Sequence, residues 1–284
     1  MIGAGALVAT AALRAGAGLA KLVMPEPILN AALSICPSAT GIALPVDHDH
    51  DLIPHETAEA LDAVFDSATV LACGPGLGVS RGSAAAVLRA IQQESLPAVL
   101  DADALNCMAV TPDLVRDLHA PAVLTPHPGE FKRLCEGLGL NNHLNLATSR
   151  EQAATALAQR LGVVVVLKGY HTVVSDGQRT WTCEAGHPCL GTAGTGDVLT
   201  GLLAGLIAQF CPSVDHMVMK SKVPAMPSDL QRPFDLYDAA RLAVWAHAAA
   251  GEAWAAAHHS GAGLLALELA NVLPLTLERA RKNP

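Results

Sequence analysis

The sequence predicts an α/β protein in which a mostly parallel sheet lies between two layers of helices. Short apolar runs alternate with longer alanine-rich segments along most of the 284 residues. This alternation is typical of a doubly wound sheet. Several apolar runs lead directly into glycine-rich or acidic stretches. Because ligands bind beyond the carboxyl ends of parallel strands, these stretches are the candidate functional positions.

Composition narrows the class of protein further. The chain is 51% hydrophobic, carries a net charge of −8 and has no basic block, so nucleic-acid binding is not expected. Its seven cysteines form no C-x-x-C pair, which indicates reduced thiols in a cytoplasmic protein and no zinc site. A signal peptide and a membrane span are not expected either, because no cationic region precedes the apolar start and the uncharged run at 198–214 is short and interrupted.

The apolar runs predict the strands. Val163–Leu167 is the strongest, since its four valines and one leucine suit a strand buried on both faces. Two short runs around Asp176-Gly177 predict a hairpin. The predicted strands are Ala20–Met24, Thr69–Cys73, Ala98–Leu100, Ala122–Leu124, Val163–Leu167, Val173–Val174 and Thr180–Thr182.

Helical patterns are predicted over residues 3–18, 56–66, 80–93, 149–161, 197–209, 236–257 and 264–281, the last interrupted by Pro274. The stretch 36–58 is predicted to be a loop, and residues 211–235 a long surface loop or insertion. Within the first loop, the alternation His48-Asp49-His50-Asp51 either binds a metal or, as is more common, forms a solvated loop without a further ligand.

The stretch 191–201 organises the chain. Its small residues allow a ligand close to the backbone, and a helical pattern begins at once after Asp197. The start of a helix offers unpaired N–H groups and the positive end of the dipole, which together suit a phosphate. Asp197 is then placed to take a proton from a bound hydroxyl. The alternative is a glycine turn in which Asp197 merely caps the helix.

Two other strand ends carry glycine or acidic residues. Gly74–Gly78 follows one strand and forms either a ligand-facing loop or a plain tight connection. Asp101 and Asp103 follow the next, where they either hold Mg²⁺ through water or cap the following turn and helix.

Two further strands end in candidate side chains. His127 lies between two prolines, which hold it stiffly and favour a functional role over a structural one. Lys168 ends the valine-rich strand, next to a glycine, where it either contacts a phosphate as a point charge or is an ordinary exposed lysine.

These stretches resemble a known family. The motifs occur in the order Gly-Pro-Gly-Leu-Gly at 74–78, Leu-Asp-Ala-Asp-Ala-Leu-Asn at 100–106, Leu-Thr-Pro-His-Pro-Gly-Glu-Phe at 124–131, Val-Leu-Lys-Gly at 166–169 and Gly-Thr-Gly-Asp-Val-Leu-Thr-Gly at 194–201. In this order they are similar to those of the ADP/ATP-dependent NAD(P)H-hydrate dehydratases, within the ribokinase-like superfamily. The resemblance covers most of residues 2–210 and, more weakly, the last two helices.

The resemblance implies one ribokinase-like domain over residues 1–284, a three-layer α/β/α fold with a mostly parallel sheet. It implies a metabolite-repair lyase that restores NADH or NADPH from its hydrate. A phosphoryl group from ADP or ATP passes to the ring hydroxyl and phosphate is then eliminated. Mg²⁺ would bridge the nucleotide phosphates, with few direct protein ligands. The family also implies a homo-oligomer, usually a tetramer, and pairing with an epimerase of the hydrate.

Carried over by position, the family's roles fall on the following residues. Asp197 is the catalytic base, and Gly194, Thr195 and Gly196 form the anion hole. The nucleotide is held by Lys168, Gly169, Tyr170, His171, Thr172 and Gly196. The hydrate contacts Ala4, Gly76, His127 and Asp197.

Three departures from the family pattern are visible. The chain begins within the loop that normally follows a first strand, which implies that this strand is missing from the sheet and that the hydrate site lacks one wall. His187-Pro188 stands where the family usually has Asn-Pro. Residues 211–235 are longer than usual for this connection.

Two other functions are compatible with these residues. A ribokinase-like kinase of a small vitamin precursor, of the hydroxymethylpyrimidine or hydroxyethylthiazole type, would use the same Asp197 and glycine loop. The Pro-His-Pro-Gly-Glu stretch argues against it. A truncated nucleotide-binding protein without turnover is the second alternative, and the missing first strand favours it.

Overall fold

A computed structural model describes residues 2–140, 149–211 and 234–282. Parallel strands alternate with helices along the chain, as predicted. Strands β3 (Leu71–Cys73), β4 (Ala98–Leu100), β5 (Ala122–Leu124) and β6 (Val164–Leu167) pair in this order and run parallel. Strands β7 (Val173–Ser175) and β8 (Thr180–Thr182) follow as the predicted antiparallel hairpin.

Helices cover both faces of this sheet. The helices are α1 (Ile2–Arg14), α2 (Glu26–Ile35), α3 (Pro54–Phe65), α4 (Arg81–Ile91), α5 (Asp103–Val110), α6 (Pro128–Gly137), α7 (Arg150–Leu161), α8 (Thr195–Phe210), α9 (Leu236–His258) and α10 (Ala266–Lys282). Alternate residues of β4 show the division, because Val99 packs with α8–α10 while Ala98 and Leu100 pack with α4–α7. The predicted three-layer α/β/α fold is therefore confirmed.

The prediction of a loop over 36–58 was wrong in part. Strand β2 (Thr40–Leu44) lies within it and pairs parallel with β1 (Lys21–Pro25). Most of β2 is exposed, although its last three residues, Ile42, Ala43 and Leu44, are apolar. Its pairing with β1 comes from contacts distant in the chain. The prediction for 211–235 falls mostly outside the described residues.

The two sheets do not pair with each other within the described part of the chain. A cavity of about 580 Å³ separates β1 from β3, and residues of α1, α8 and the glycine loop 74–77 also line it. Residue Ala72 of β3 is exposed, whereas every residue of β4, β5 and β6 is buried. The cavity lies beside the loop expected to contact the hydrate.

Small residues bring α1 and α8 into close contact. A methyl group on Gly201 would lie 2.1 Å from the carbonyl oxygen of Val8. Only a residue without a side chain fits at this crossing of the two helices. All seven cysteines are free, as predicted. Within the described part of the chain, none of the helices combines the length and the apolar character that a membrane crossing requires.

Gly74, which directly follows β3, gives a separate test of close packing. Its φ is +119°, and a methyl group there would lie 1.8 Å from the carbonyl oxygen of Asp101. We expect Gly74→Ala to lower the free energy of unfolding by about 3 kcal/mol or more, measured by urea denaturation. Gly78→Ala is the control, because Gly78 shares a positive φ of +77° but has open space around it. It should cost only about 1–2 kcal/mol. Equal losses in the two variants would contradict this interpretation.

Candidate active site

The predicted glycine turn does begin a helix. Gly194 is the N-terminal cap of α8 with φ +89°, and no side chain caps this end. Asp197 lies in the first turn of α8, three residues after the cap, so its interpretation as the cap was wrong. The first N–H groups of a helix have no partner inside it, and the dipole is positive there. This end of α8 can therefore bind an anion.

Two side chains hold the turn that leads into α8. The Thr195 hydroxyl lies 2.8 Å from the carbonyl oxygens of both Leu190 and Thr192, so it is turned into the protein. His187 Nδ1 accepts a hydrogen bond of 3.3 Å from the Cys189 N–H. His187 thus pins the loop at the position where the family pattern has Asn.

His247 supports the same turn from α9. Its Nε2 lies 2.8 Å from the Thr195 carbonyl oxygen, and burial lowers the pKa of its imidazole to about 4. The ring is therefore neutral at pH 7. Because a carbonyl oxygen only accepts, the proton lies on Nε2, which donates to Thr195.

Lys168 lies against this helix end. A methyl group on Gly196 would be 3.6 Å from Lys168 Nζ. The ammonium is 2.6 Å from Asp101 Oδ1 and 3.8 Å from Glu130 Oε2, and the side chain is only 17% exposed. The interpretation of Lys168 as an ordinary exposed lysine was wrong. A cation and a helix N-terminus meet at one place, which suits a phosphate.

Asp197 is surrounded by charges. Burial first, and then the nearby Asp101 carboxylate, raise the pKa of Asp197 to about 6, while Lys168 opposes this rise. Glu130 also raises the pKa of Asp197, with the smallest effect of these groups. A carboxyl group with a pKa near neutrality is well suited to take a proton, because its correct form is populated and it remains basic.

The two acids after β4 do not cap α5, the second of the two roles predicted for them. The cap of α5 is Ala102, without a side-chain bond, so neither Asp101 nor Asp103 caps it. Asp101 is 1% exposed and is bound to Lys168 and Thr200. Asp103 Oδ2 accepts a hydrogen bond of 2.8 Å from the Gly78 N–H and so ties α5 to the glycine loop.

His127 is the cap of α6. Its Nδ1 accepts from the Gly129 N–H at 3.0 Å, and its Nε2 lies 3.3 Å from Glu130 Oε1. Both ring nitrogens therefore have structural partners. The side chain is still 49% exposed, which leaves a ring face open to a ligand.

The other predicted residues are spread around this centre. The loop after β6 projects Tyr170, 86% exposed, with its ring stacked on His171 at 4.0 Å. Thr172 Oγ1 donates to the Gly169 carbonyl oxygen at 3.0 Å. Gly76 lines the cavity beside β3. Ala4 is buried in the first turn of α1.

Four residues of the site were not predicted: Glu130, Arg150, Thr200 and His247. Glu130 had a usable signal, because a glutamate three residues after a helix cap indicates a capping box. From that position, Glu130 Oε2 accepts a hydrogen bond from the His127 N–H. The same oxygen lies 3.8 Å from Lys168 Nζ. Arg150 and His247 lie in regular helices, and no local pattern marks them. Thr200 lies within the motif at 194–201, but nothing in that motif indicates the partner of its hydroxyl.

Metal-ligating groups are few. Among the described residues, Asp47, His48 and Asp49 form the one cluster whose ligand atoms lie within 4.8 Å of one another. All three are exposed, so the arrangement fits the solvated loop predicted for this stretch. At the α8 site, both Asp101 oxygens already accept protein hydrogen bonds. The surplus of carboxylates over ammonium groups there suits a divalent cation that arrives with a nucleotide.

Comparison with known proteins agrees with this geometry. The family model described as NAD(P)H-hydrate dehydratase matches residues 1–275. A bifunctional NAD(P)H-hydrate repair enzyme from Gloeobacter violaceus is 37% identical over 271 residues, which cover 94% of this chain and 46% of that protein. Its counterpart from Salinibacter ruber is 41% identical over 212 residues, 73% of this chain and 38% of that protein. The chain thus spans less than half the length of these relatives.

A solved structure is also similar over nearly the whole chain. It is the ADP/ATP-dependent NAD(P)H-hydrate dehydratase from Bacillus subtilis, co-crystallised with ATP and Mg²⁺. The TM-score is 0.72 at 29% identity, covering 98% of this chain and 85% of that one. Together with the anion-binding end of α8 and the carboxylate of Asp197, these matches show that the chain belongs to the NAD(P)H-hydrate dehydratase family.

Proposed function

We propose that this protein dehydrates hydrated NADH and NADPH at the expense of ADP or ATP, as a metabolite-repair lyase. The observation that carries the proposal is the meeting of Asp197, the Lys168 ammonium and the open N-terminus of α8 at one place. A base, a cation and an anion site are what phosphoryl transfer to a hydroxyl requires.

In this proposal, the Asp197 carboxylate takes the proton of the ring hydroxyl. The freed oxygen attacks the terminal phosphorus, and the nucleotide leaves with one phosphate fewer. The N–H groups of Gly194, Thr195 and Gly196 stabilise the charge on the phosphoryl group in flight. The C–O bond between the ring and the phosphate then breaks, inorganic phosphate leaves, a proton is lost from the neighbouring ring carbon, and the double bond is restored.

Nucleotide and hydrate occupy different sides of Asp197 in this proposal. Residues 168–172 and Gly196 hold the nucleotide, with the Lys168 ammonium against a phosphate. Ala4, Gly76 and the open ring face of His127 contact the hydrate. Mg²⁺, when bound with the nucleotide, would offset the charge of the local carboxylates Asp101, Glu130 and Asp197.

The proposal extends to organisation. We treat residues 1–284 as one domain of a cytoplasmic homo-oligomer, a tetramer by family resemblance. The relatives named above are bifunctional repair enzymes, which supports functional pairing with an epimerase of the hydrate.

The direct test follows absorbance at 340 nm after the hydrate of NADH, Mg²⁺ and either ADP or ATP are added to the purified chain. A nucleotide-dependent rise supports the dehydratase and identifies the nucleotide. Nucleotide binding without a rise would instead favour the truncated binding protein. Phosphorylation of a hydroxymethylpyrimidine or hydroxyethylthiazole would favour the kinase.

The pH dependence gives a second test. Because burial raises the pKa of Asp197 to about 6, its basic form is lost as the pH falls through 6. We expect kcat to fall about tenfold per pH unit below that value and to be level from pH 7 to 8. An acid limb centred near pH 4, the ordinary value for aspartate, would contradict the raised pKa of Asp197.

A further inference from the structure

One buried carboxylate connects three distant parts of the chain. Asp101 Oδ1 accepts a hydrogen bond of 2.6 Å from Lys168 Nζ, and its Oδ2 accepts one of 2.7 Å from Thr200 Oγ1. Both Asp101 and Thr200 are buried, at 1% and 0% exposure. A buried carboxylate is costly unless it is paired and hydrogen-bonded, so this arrangement is specific.

Thr200 uses its hydroxyl unusually. A threonine within a helix commonly donates to the carbonyl oxygen four residues earlier, as Thr276 does to Val272 at 3.1 Å. Thr200 instead reaches across to Asp101. It also lies four residues after Gly196, so both are on the same side of α8, one turn apart. Asp101 is thus tied to the helix whose end forms the anion site.

The backbone of Lys168 is held in place as well as its ammonium group. One terminal nitrogen of Arg150 donates to the carbonyl oxygens of Leu167 at 2.9 Å and of Lys168 at 3.0 Å. The guanidinium also packs on Gly169, where a methyl group would lie 2.7 Å from it. Backbone and ammonium of Lys168 are therefore both held in place.

We propose that Asp101, oriented by Thr200, is a positioning residue that holds the Lys168 ammonium beside the N-terminus of α8 before the nucleotide binds. This rests on the proposed function in one respect, namely that Lys168 contacts a nucleotide phosphate. An unrestrained lysine would lose rotamer freedom on binding. Preorganisation removes that cost, so the effect falls on nucleotide affinity.

Thr200→Val is the sharpest test, because it removes one hydrogen bond to Asp101 and changes no charge. The nucleotide KM and the calorimetric Kd for ADP or ATP should rise about tenfold, as expected for a lost hydrogen bond to a charged group. The KM for the hydrate and kcat should change less than about twofold, since uniform binding alters KM alone. Thr200→Ser restores the donor and should return the nucleotide KM to near the wild-type value.

Thr276→Val is the matched control, a buried helical threonine whose hydroxyl bonds only its own helix. It should leave every kinetic constant unchanged. Melting temperatures are measured for all variants. An unchanged nucleotide KM in folded Thr200→Val overturns the proposal, as does an equal fall in all constants in parallel with stability.

Asp101→Asn distinguishes a positioning role of Asp101 from a role in binding Mg²⁺. It should also raise the nucleotide Kd, and added Mg²⁺ should not cure the defect. A defect cured by Mg²⁺ would assign Asp101 to metal binding and overturn the positioning role. The calorimetric readout needs no turnover. If the wild-type chain binds nucleotide without dehydrating the hydrate, the proposed reaction fails while Thr200→Val still decides the role of Asp101.

Discussion

Asp197→Asn should lower kcat roughly 10²–10⁴-fold, the usual contribution of a positioned base. The amide has nearly the same shape but cannot take the hydroxyl proton. The N–H groups of Gly194–Gly196 and the Lys168 ammonium remain, so the Kd for nucleotide should change little. Single-turnover absorbance at 340 nm measures the loss, and calorimetry measures binding.

Asp238→Asn provides a closely matched control. Asp238 lies three residues after the cap of α9, as Asp197 lies three residues after the cap of α8. Both variants therefore remove the same charge from the same position of a helix dipole. Only the one in α8 should lose activity. Retention of more than about a tenth of kcat by Asp197→Asn would exclude it as the base.

Lys168→Met should have two large effects. The nucleotide KM should rise roughly tenfold to a hundredfold, since a charge-assisted phosphate contact is lost. The free energy of unfolding should fall by about 3–5 kcal/mol, because the buried Asp101 carboxylate loses its cation. Steady-state kinetics with varied nucleotide and urea denaturation measure the two effects.

The double variant Asp101→Asn, Lys168→Met separates these effects. Removing both charges takes away the unpaired carboxylate, so most of the lost stability should return. The nucleotide KM should stay high. Lys132→Met is the surface control, because Lys132 is 75% exposed and pairs only with Glu136 at 3.8 Å. Recovery of nucleotide affinity in the double variant would contradict the phosphate role of Lys168.

Much of the fold can be predicted from the sequence because its central strands are buried on both faces. Runs such as Ala98–Leu100, Ala122–Leu124 and Val164–Leu167 carry apolar residues at every position, so short strands are recognised without knowledge of their partners. The helices predicted after Asp197 and over 80–93 are likewise local features, set by neighbours within a few residues.

Elements that depend on contacts between distant parts of the chain were not predicted from the sequence. β2 is a largely exposed strand whose partner is β1. Gly74 was visible as part of a glycine turn. Its reason, the approach of the Asp101 carbonyl oxygen, depends on the pairing of β3 with β4.

The candidate site divides in the same way. Residue types pointed to the glycine turn and Asp197 as a phosphate site, because a helix start attracts anions. They left the role of Lys168 open, and the family resemblance assigned it to the same site. Chain order could not show that Asp101 would hold Lys168, at a separation of 67 residues, or that Thr200 would hold Asp101, at a separation of 99. Hydrogen bonds of buried side chains depend on burial, distance and direction together, and these quantities exist only once helices have packed on the sheet.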